Sequence, residues 1–172
     1  MGISERVDSM VVRATSPNGS ITATVRGMDS IEIAFMPGFY QRATPQEMET
    51  QLAQVARVLW ANRMREYEAI LNEESDGNLI VDAPASDRRD EQFYEQRDNV
   101  VAEGSSPDGR VRVTARGMRD WSVHIAPGAI DQMREDEMTY AAVQAAEALI
   151  RDQMTKITEL KFSIYQDEVD FR

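Results

Sequence analysis

The chain has 172 residues, no cysteine, a formal net charge of −11 and 42% hydrophobic residues. This length and composition predict a globular protein of one ordinary domain or two very small ones. The lack of cysteine excludes disulfides and thiolate chemistry and fits a reducing cytoplasm. The negative charge argues against a nucleic-acid binder, because such proteins place a positive surface against phosphate. No apolar run reaches the roughly 20 residues that span a bilayer, so we expect a cytoplasmic protein without membrane contact.

The first predicted elements are three short β-strands. Residues 10–14 form a short, mainly apolar run that ends near the turn Ser16-Pro17-Asn18-Gly19, which favours a hairpin. Apolar residues then alternate with polar ones over 21–25 and again over 31–35, the pattern of a half-buried strand. Pro37-Gly38 ends the third strand. The pattern predicts a three-stranded meander.

A long helix follows the meander. Thr44 as N-cap, Pro45 at the first helical position and Glu47 form a capping box. Apolar residues then recur at helical spacing, and this stripe should cover the sheet. Its members are Met48, Leu52, Val55, Leu59, Tyr67 and Ile70. Three arginines of this helix, Arg57, Arg63 and Arg65, are predicted to lie outside the stripe.

The same pattern returns 90 residues later. The turn Ser106-Pro107-Asp108-Gly109 matches the first turn, and the register runs without a gap to Met64 and Met154. Eleven residues of the first copy recur in this frame: Thr24, Arg26, Gly27, Met28, Pro37, Gly38, Glu47, Met48, Gln54, Ala56 and Leu59. The chain is therefore interpreted as a tandem duplication. The second long helix is richer in alanine, which predicts a closely packed neighbour.

These elements predict an α+β fold built from two βββα repeats, residues 10–71 and residues 100–162. Residues 72–99 are predicted to form an acidic connector with a short helix over 88–98, anchored by Phe93 and Tyr94. Residues 163–172 are predicted to be an acidic, solvated tail. Much of the negative charge lies in the connector and the tail, while the first repeat is balanced, with six acidic and six basic residues.

The sequence resembles the YbaB/EbfC family of bacterial nucleoid-associated proteins. The resemblance rests on residues 106–114, on residues 123–130 and on the Ala-rich helix from Met138, and the first copy resembles the family through the second. It covers the three strands and the C-terminal helix, whereas only residues 1–9 and 88–98 remain of the family's N-terminal helix. Family members form homodimers, so the resemblance implies an intrachain pseudo-dimer of two packed repeats. Two separate lobes joined by the connector are the alternative.

The family resemblance implies two functions. Many members bind DNA with little sequence preference, and YbaB-like proteins also occur among the accessory proteins of actinobacterial type VII secretion. Tyr94 to Asp98 fits the Y-x-x-x-[DE] pattern associated with type VII export, but two fixed positions in five arise easily by chance. The charge favours a protein-interaction or accessory module over a DNA binder, with a nucleoid-associated DNA-binding protein as the alternative. Further homodimerisation is left open.

No residue pattern indicates an active site. His124, the only histidine, is out of alternation with Val123 and Ile125 and is expected to face solvent rather than act as a base. No P-loop, dinucleotide-binding or calcium-loop motif occurs, and one histidine without cysteine nearly excludes a zinc site. We therefore expect no enzyme, cofactor or metal.

Candidate contact residues are arginines and one tryptophan. The candidate anion or DNA contacts are Arg57, Arg63 and Arg65 on the first helix and Arg110, Arg112, Arg116 and Arg119 on the second hairpin. The more common alternative is that these side chains are solvated and paired with carboxylates. Trp60 is the candidate partner contact, or a residue that covers the interface between copies, whereas Trp121 aligns with Ile31 and is expected in the core.

Overall fold

The computed structural model describes residues 2–74 and 85–166. Residues 2–74 contain α1 (Ile3–Asp8), β1 (Val11–Thr15), β2 (Ile21–Arg26), β3 (Ser30–Phe35), α2 (Phe39–Arg42) and α3 (Pro45–Glu74). Residues 85–166 contain α4 (Arg88–Arg97), β4 (Val101–Ser105), β5 (Val111–Arg116), β6 (Asp120–Ile125), α5 (Ala129–Gln132) and α6 (Glu135–Tyr165). The predicted α+β class and the repeated three-strand, long-helix order are confirmed.

Each repeat contains its own antiparallel sheet. The strand orders are β1-β2-β3 and β4-β5-β6, and the registers are equivalent, with Val12 opposite Val25 in one sheet and Ala102 opposite Ala115 in the other. The N–H of Gly27 donates to Met10 O at 2.7 Å, and the N–H of Gly117 donates to Val100 O at 2.8 Å. The duplication is thus visible in individual backbone hydrogen bonds.

The helices differ from the prediction mainly at their ends. Helix α3 continues to Glu74 and α6 to Tyr165, beyond the predicted repeat boundaries at 71 and 162. The predicted helix of the connector is present as α4, whose N-cap Asp87 accepts from Asp90 N and whose Phe93 is buried. Helix α1 falls within residues 1–9, the segment that the resemblance gave as a remnant of an N-terminal helix, whereas the short helices α2 and α5 were not predicted. Residues 75–84 of the connector and 167–172 of the tail lie outside the described residues.

The two repeats share one hydrophobic core. Helix α3 packs on β1 and β2 of its own sheet and also on β6, while α6 packs on β4 and β5 and also on β3. Buried residues of both repeats form a single cluster, with Ile21, Met48 and Leu149 fully buried. The alternative of two separate lobes is wrong, because each long helix covers a strand of the other repeat.

The second repeat is the more tightly packed one at its first strand. A Cβ built on Gly104 of β4 would lie 2.1 Å from the carbonyl oxygen of Ala145 in α6, so only glycine permits this approach. The equivalent residue of the first repeat is Ala14, which is also buried. The neighbour predicted for the alanine-rich helix is therefore the backbone of β4.

Candidate functional site

A groove of about 700 Å³ lies where the two repeats meet. One wall is the middle of α3, and the other is formed by the end of α4, the turn between β5 and β6, and α6. Its floor is apolar and includes Val58, Trp60, Met64, Met118 and Ile157. A groove of this size, with an apolar floor, can accept a helix face or an extended peptide.

Arginines line the rim of this groove. Three of the predicted contact residues, Arg57, Arg65 and Arg119, are brought together here although Arg119 is more than 50 positions from the other two. Within residues 2–74 and 85–166, neither Arg57 nor Arg119 has a carboxylate partner within 4.0 Å, whereas Arg65 donates to Asn62 Oδ1. Two of the guanidinium groups are therefore available to an anionic partner.

Sequence reasoning missed a fourth arginine of the rim. Arg97, at the end of α4, lines the groove, lies 4.9 Å from the ring centroid of Tyr94 and is 3.5 Å from Asp98 Oδ1. It was not predicted because it lies in the acidic connector, and only the fold brings the end of α4 to the groove. Glu68, Asp98 and Asp120 also line the groove, so the rim is mixed with a small positive excess.

The pseudo-symmetric face of the molecule has no such rim. In the repeat frame, Arg57, Arg65 and Arg119 correspond to Glu147, Thr155 and Asp29. Glu147 accepts a hydrogen bond from the backbone N–H of Ile31 at 3.0 Å, and Asp29 lies 3.9 Å from Arg151. The cationic groove is therefore a feature of one face only.

Trp60 occupies a central place in this arrangement. It is half-buried and lines both the groove and a smaller internal cavity beside it. The guanidinium carbon of Arg63 lies 5.0 Å from its ring centroid, within cation–π distance. Trp60 thus lies at the interface between the two repeats, one of the two placements expected from the sequence.

Arg63 is the one predicted contact residue that is buried. The prediction that Arg63 lies outside the apolar stripe is wrong, because only 6% of the residue is exposed. Arg63 comes four residues after Leu59 and seven before Ile70, on the same face of the helix. That spacing was the signal that could have placed it correctly. Burial lowers the pKa of the Arg63 guanidinium. The equivalent residue of the second repeat, Gln153, is buried too.

The internal cavity has a volume of about 60 Å³ and lies between the sheets and the two long helices. Aliphatic side chains of both repeats line it, among them Val25, Leu59, Val123 and Ile150, together with the indoles of Trp60 and Trp121. Trp121 is partly buried against the core, as the sequence predicted. Among the described residues, Arg63 is the only charged one in the lining.

The remaining predicted arginines do not line the groove. Arg110 lies in the β4–β5 turn with its Nε 3.5 Å from Asp108 Oδ2, and Arg116 donates to Asn99 Oδ1 at 2.6 Å. Arg112 is exposed on β5, opposite His124 of β6. The seven predicted arginines therefore divide into a groove group, one buried residue and a group on the exposed face of the second sheet.

His124 faces solvent as expected, with 66% of its side chain exposed and its Nδ1 3.5 Å from Glu49 Oε2. Among the described residues, there is no group of three or more His, Asp or Glu side chains placed to hold a metal ion. In the same part of the chain, no helix is both long and apolar enough to cross a membrane.

Comparisons with family models, curated proteins and solved structures found no match to the chain.

Proposed function

We propose that this chain is a non-catalytic, YbaB/EbfC-like binding protein whose groove docks an acidic, amphipathic segment of a protein partner. The observation that carries the proposal is the convergence of Arg57, Arg65 and Arg119 around an apolar floor. Two of these arginines have no carboxylate partner in the described parts of the chain. A partner that supplies carboxylates at the rim and apolar side chains at the floor would match both features.

The composition of the floor supports a protein partner. Tryptophan, methionine and arginine are enriched at protein interfaces, and Trp60, Met64 and Met118 contribute to this surface. Methionine adapts its shape to a partner, and a half-buried indole supplies apolar area at small entropic cost. The net charge of −11 favours a short acidic segment over DNA, because a segment that contacts only the groove avoids the negative charge elsewhere on the surface, whereas a long duplex would be repelled by it.

The asymmetry of the two faces also supports a dedicated site. In a homodimer of identical units, both faces would carry the same residues. Here the duplication has left arginines on one face and Glu147, Thr155 and Asp29 on the other. The link to type VII secretion rests on the family resemblance and is part of this hypothesis.

Binding of defined probes tests the proposal. A fluorescein-labelled helical peptide with leucine on one face and glutamate on the other is titrated with the protein, and anisotropy is followed. We expect saturable binding that weakens at least about tenfold in Arg57→Gln/Arg119→Gln, because two exposed rim charges are lost. The matched control is Arg151→Gln on the pseudo-symmetric face, which should bind as the wild type does. Equal binding by the double variant would contradict the assignment of the groove.

DNA binding is the second candidate, because the same groove arginines could contact phosphates. Arg110, Arg112 and Arg116 of the second hairpin are further candidates for phosphate contacts. A labelled duplex titrated at low and at physiological salt discriminates the two functions. Tight binding that weakens steeply with salt and is lost in Arg57→Gln/Arg119→Gln would replace the protein partner with DNA.

A further inference from the structure

The outer edge of the first sheet lies open beside the first turns of α6. The strand order β1-β2-β3 makes β3 an edge strand, and a surface groove of about 560 Å³ follows it. One wall of this β3 groove is formed by residues 31–35, and the other includes Thr139, Tyr140 and Val143 of α6. It shares no residue with the groove that Arg57 and Arg119 line, so it is a second, separate surface.

Two backbone N–H groups of β3 face this open edge. The N–H of Met36 donates to Ser20 O at 2.7 Å, towards the neighbouring strand, whereas the N–H of Ile31 donates away from the sheet to Glu147 Oε2 at 3.0 Å. Bonding directions alternate along an antiparallel strand, so the N–H groups of Ile33 and Phe35 point outward like that of Ile31. Among the described residues, neither group has an acceptor. The edge therefore presents two open donors, with the C=O of Ile33 between them.

The equivalent edge of the second sheet is closed at the corresponding place. There the N–H of Ile125 donates to Glu49 Oε2 at 2.9 Å. In the repeat frame Ile125 corresponds to Phe35 and Glu49 to Thr139. The Thr139 hydroxyl is shorter and donates to Glu135 O within its own helix, at 2.8 Å. The loss of one carboxylate therefore leaves the β3 edge open at Phe35.

The rim of the β3 groove is acidic. Its charged residues are Glu32, Glu135 and Asp136. Glu32 and Asp136 each lie 3.2 Å from an arginine in exposed ion pairs, and such pairs are weak and readily exchanged. Within residues 2–74 and 85–166, Glu135 has no cation within 4.0 Å. The rim thus has carboxylates to offer to a cationic partner.

This acidity belongs to one repeat frame position set only. The counterparts of the three rim carboxylates are uncharged: Ser122, Pro45 and Gln46. The open edge and the negative rim therefore occur together, on the side of the molecule where the duplication has diverged.

We propose that the β3 groove binds an extended, basic segment of a partner protein, which adds to the first sheet as a further strand beside β3. In strand addition, main-chain hydrogen bonds supply affinity and alternate side chains supply specificity. The open N–H groups of Ile33 and Phe35 provide the main-chain contacts. Glu32 and Glu135 favour arginine or lysine, and Tyr140, which is 66% exposed, offers its ring to the same cations.

Charge decides which occupant fits this edge. Open strand edges also pair with a second copy of the same chain, but two β3 edges would bring their acidic rims together. A basic segment meets no such repulsion. Since the β3 groove and the arginine-lined groove have no residue in common, this inference goes beyond the proposed function and does not depend on it.

A short fluorescein-labelled peptide of alternating valine and arginine is the probe, and its anisotropy is followed as the protein is added. We expect saturable binding, which is lost when glutamate replaces arginine in the peptide. The same arginine peptide with every backbone nitrogen methylated keeps its charge but cannot donate main-chain hydrogen bonds. It should bind at least about tenfold more weakly.

Thr139→Glu separates strand addition from simple charge attraction. It restores the carboxylate found at Glu49 in the first helix and should cap the N–H of Phe35. We expect peptide affinity to fall at least about tenfold, whereas attraction alone would strengthen binding because the variant is more negative. Thr158→Glu is the matched control, since Thr158 also donates to its own helix, at Met154 O, and should bind no more weakly than the wild type.

The acidic rim is tested by a charge-matched pair of double variants. Glu32→Gln/Glu135→Gln should weaken binding at least about tenfold, while Glu103→Gln/Glu159→Gln, which removes two exposed charges elsewhere, should bind as the wild type does. Circular dichroism checks that each variant is folded. Amide hydrogen exchange gives the location: exchange at Ile33 and Phe35 should slow on peptide binding, and exchange at Val123 should not change.

Three results would overturn the proposal. The first is a wild-type protein that does not bind the arginine peptide, or binds its methylated form equally well. The second is a folded Thr139→Glu variant that binds the peptide as tightly as the wild type or more tightly. The third is a dimer in sedimentation experiments that Thr139→Glu dissociates, because the occupant of the edge would then be a second copy of this chain.

Discussion

The two repeats share one frame, yet they differ where they meet. At the first strand, the second repeat has Gly104 against the backbone of α6, while the first has Ala14 against α3. Leu149 of the second repeat is fully buried, whereas its counterpart Leu59 is 7% exposed and lines the internal cavity. The comparison shows that the second repeat is packed more closely at its first strand, and that α3 of the first repeat contributes most of the helix residues that line the groove and the internal cavity.

A functional asymmetry accompanies this difference in packing. The groove and the cavity are both lined by α3 residues, and Trp60 belongs to both. In the repeat frame, Ile150 corresponds to Trp60 and Gln153 to Arg63, so α6 has neither a cation nor an indole at these positions. Duplication within one chain lets one repeat keep the core while the other changes, which two identical subunits cannot do.

The largest effect is expected at the close contact of the second repeat. Gly104→Ala should destabilise the protein by about 4 kcal/mol, because the new Cβ meets backbone atoms of α6 that cannot move independently. Ala14→Gly, the reverse change at the equivalent position, should cost only about 1 kcal/mol. Urea denaturation followed by circular dichroism measures both. Similar losses in the two variants would show that the two repeats are packed alike.

A smaller difference is expected between the two core leucines. Leu149→Ala should cost about 4 kcal/mol, since it leaves a cavity in a fully packed region, while Leu59→Ala should cost about 2 kcal/mol because Leu59 already borders empty space. The free energy of unfolding of both variants is measured under the same conditions. If Leu59→Ala is the more destabilising of the two, the first repeat is not the looser one.

In each sheet, one backbone N–H of the third strand donates to a carboxylate of the other repeat. The two carboxylates do not occupy equivalent positions in the repeat frame. Glu147 accepts from Ile31 N at 3.0 Å, and Glu49 accepts from Ile125 N at 2.9 Å. Thr139, the counterpart of Glu49, instead donates to Glu135 O within its own helix. Glu49→Gln and Glu147→Gln should each cost about 1 kcal/mol, because a charge-assisted hydrogen bond becomes a neutral one. Thermal unfolding monitors the change, with Glu135→Gln as the control.

The smallest effect is expected at α1 and α4, the helices that precede the two repeats. Helix α1 is held to α3 by Arg6, which pairs with Glu73 and Glu74, while α4 is held to α6 by a hydrogen bond from Tyr165 Oη to Asp90 Oδ1 at 2.5 Å. This hydrogen bond lowers the pKa of Asp90 and raises the pKa of Tyr165 to about 12.

The pH dependence of this hydrogen bond follows from the directions of the two pKa shifts. The contact contributes fully at neutral pH, is lost as pH falls through the lowered pKa of Asp90, and is lost at high pH as Tyr165 ionises near its raised value. Tyr165→Phe should increase hydrogen exchange of the α4 amides at neutral pH and leave α1 unchanged. Unchanged exchange in α4 would mean that Phe93 alone anchors this helix.

Much of the architecture could be predicted because it is encoded locally. The N-cap predicted at Thr44 is present, with the N–H of Glu47 donating to Thr44 Oγ1 at 3.1 Å, which is one of the two hydrogen bonds of the predicted capping box. The alternating strands and the stripe of α3 follow from the same kind of short-range pattern, since side-chain direction repeats every two residues in a strand and every 3.6 in a helix. His124 was placed on the exposed face of β6 by this rule alone.

The site itself was predicted only in part. Arg57, Arg65, Arg119 and Trp60 were chosen from the sequence, but nothing in the sequence showed that they share one groove. Arg97 was missed because a connector helix gives no signal of its neighbours. Arg63 was misplaced because an arginine was read as exposed by residue type, although its spacing from Leu59 matched the buried stripe.

The sequence by itself determined the duplication, the order of strands and long helices, and the residues that face the core, because these depend on turn chemistry and hydrophobic period over a few residues. Only the tertiary structure decided that each helix covers a strand of the other repeat, that four arginines surround one groove, and that Arg63 lines an apolar cavity. Those features bring together residues that are far apart in the chain, and they depend on how the two similar repeats pack against each other.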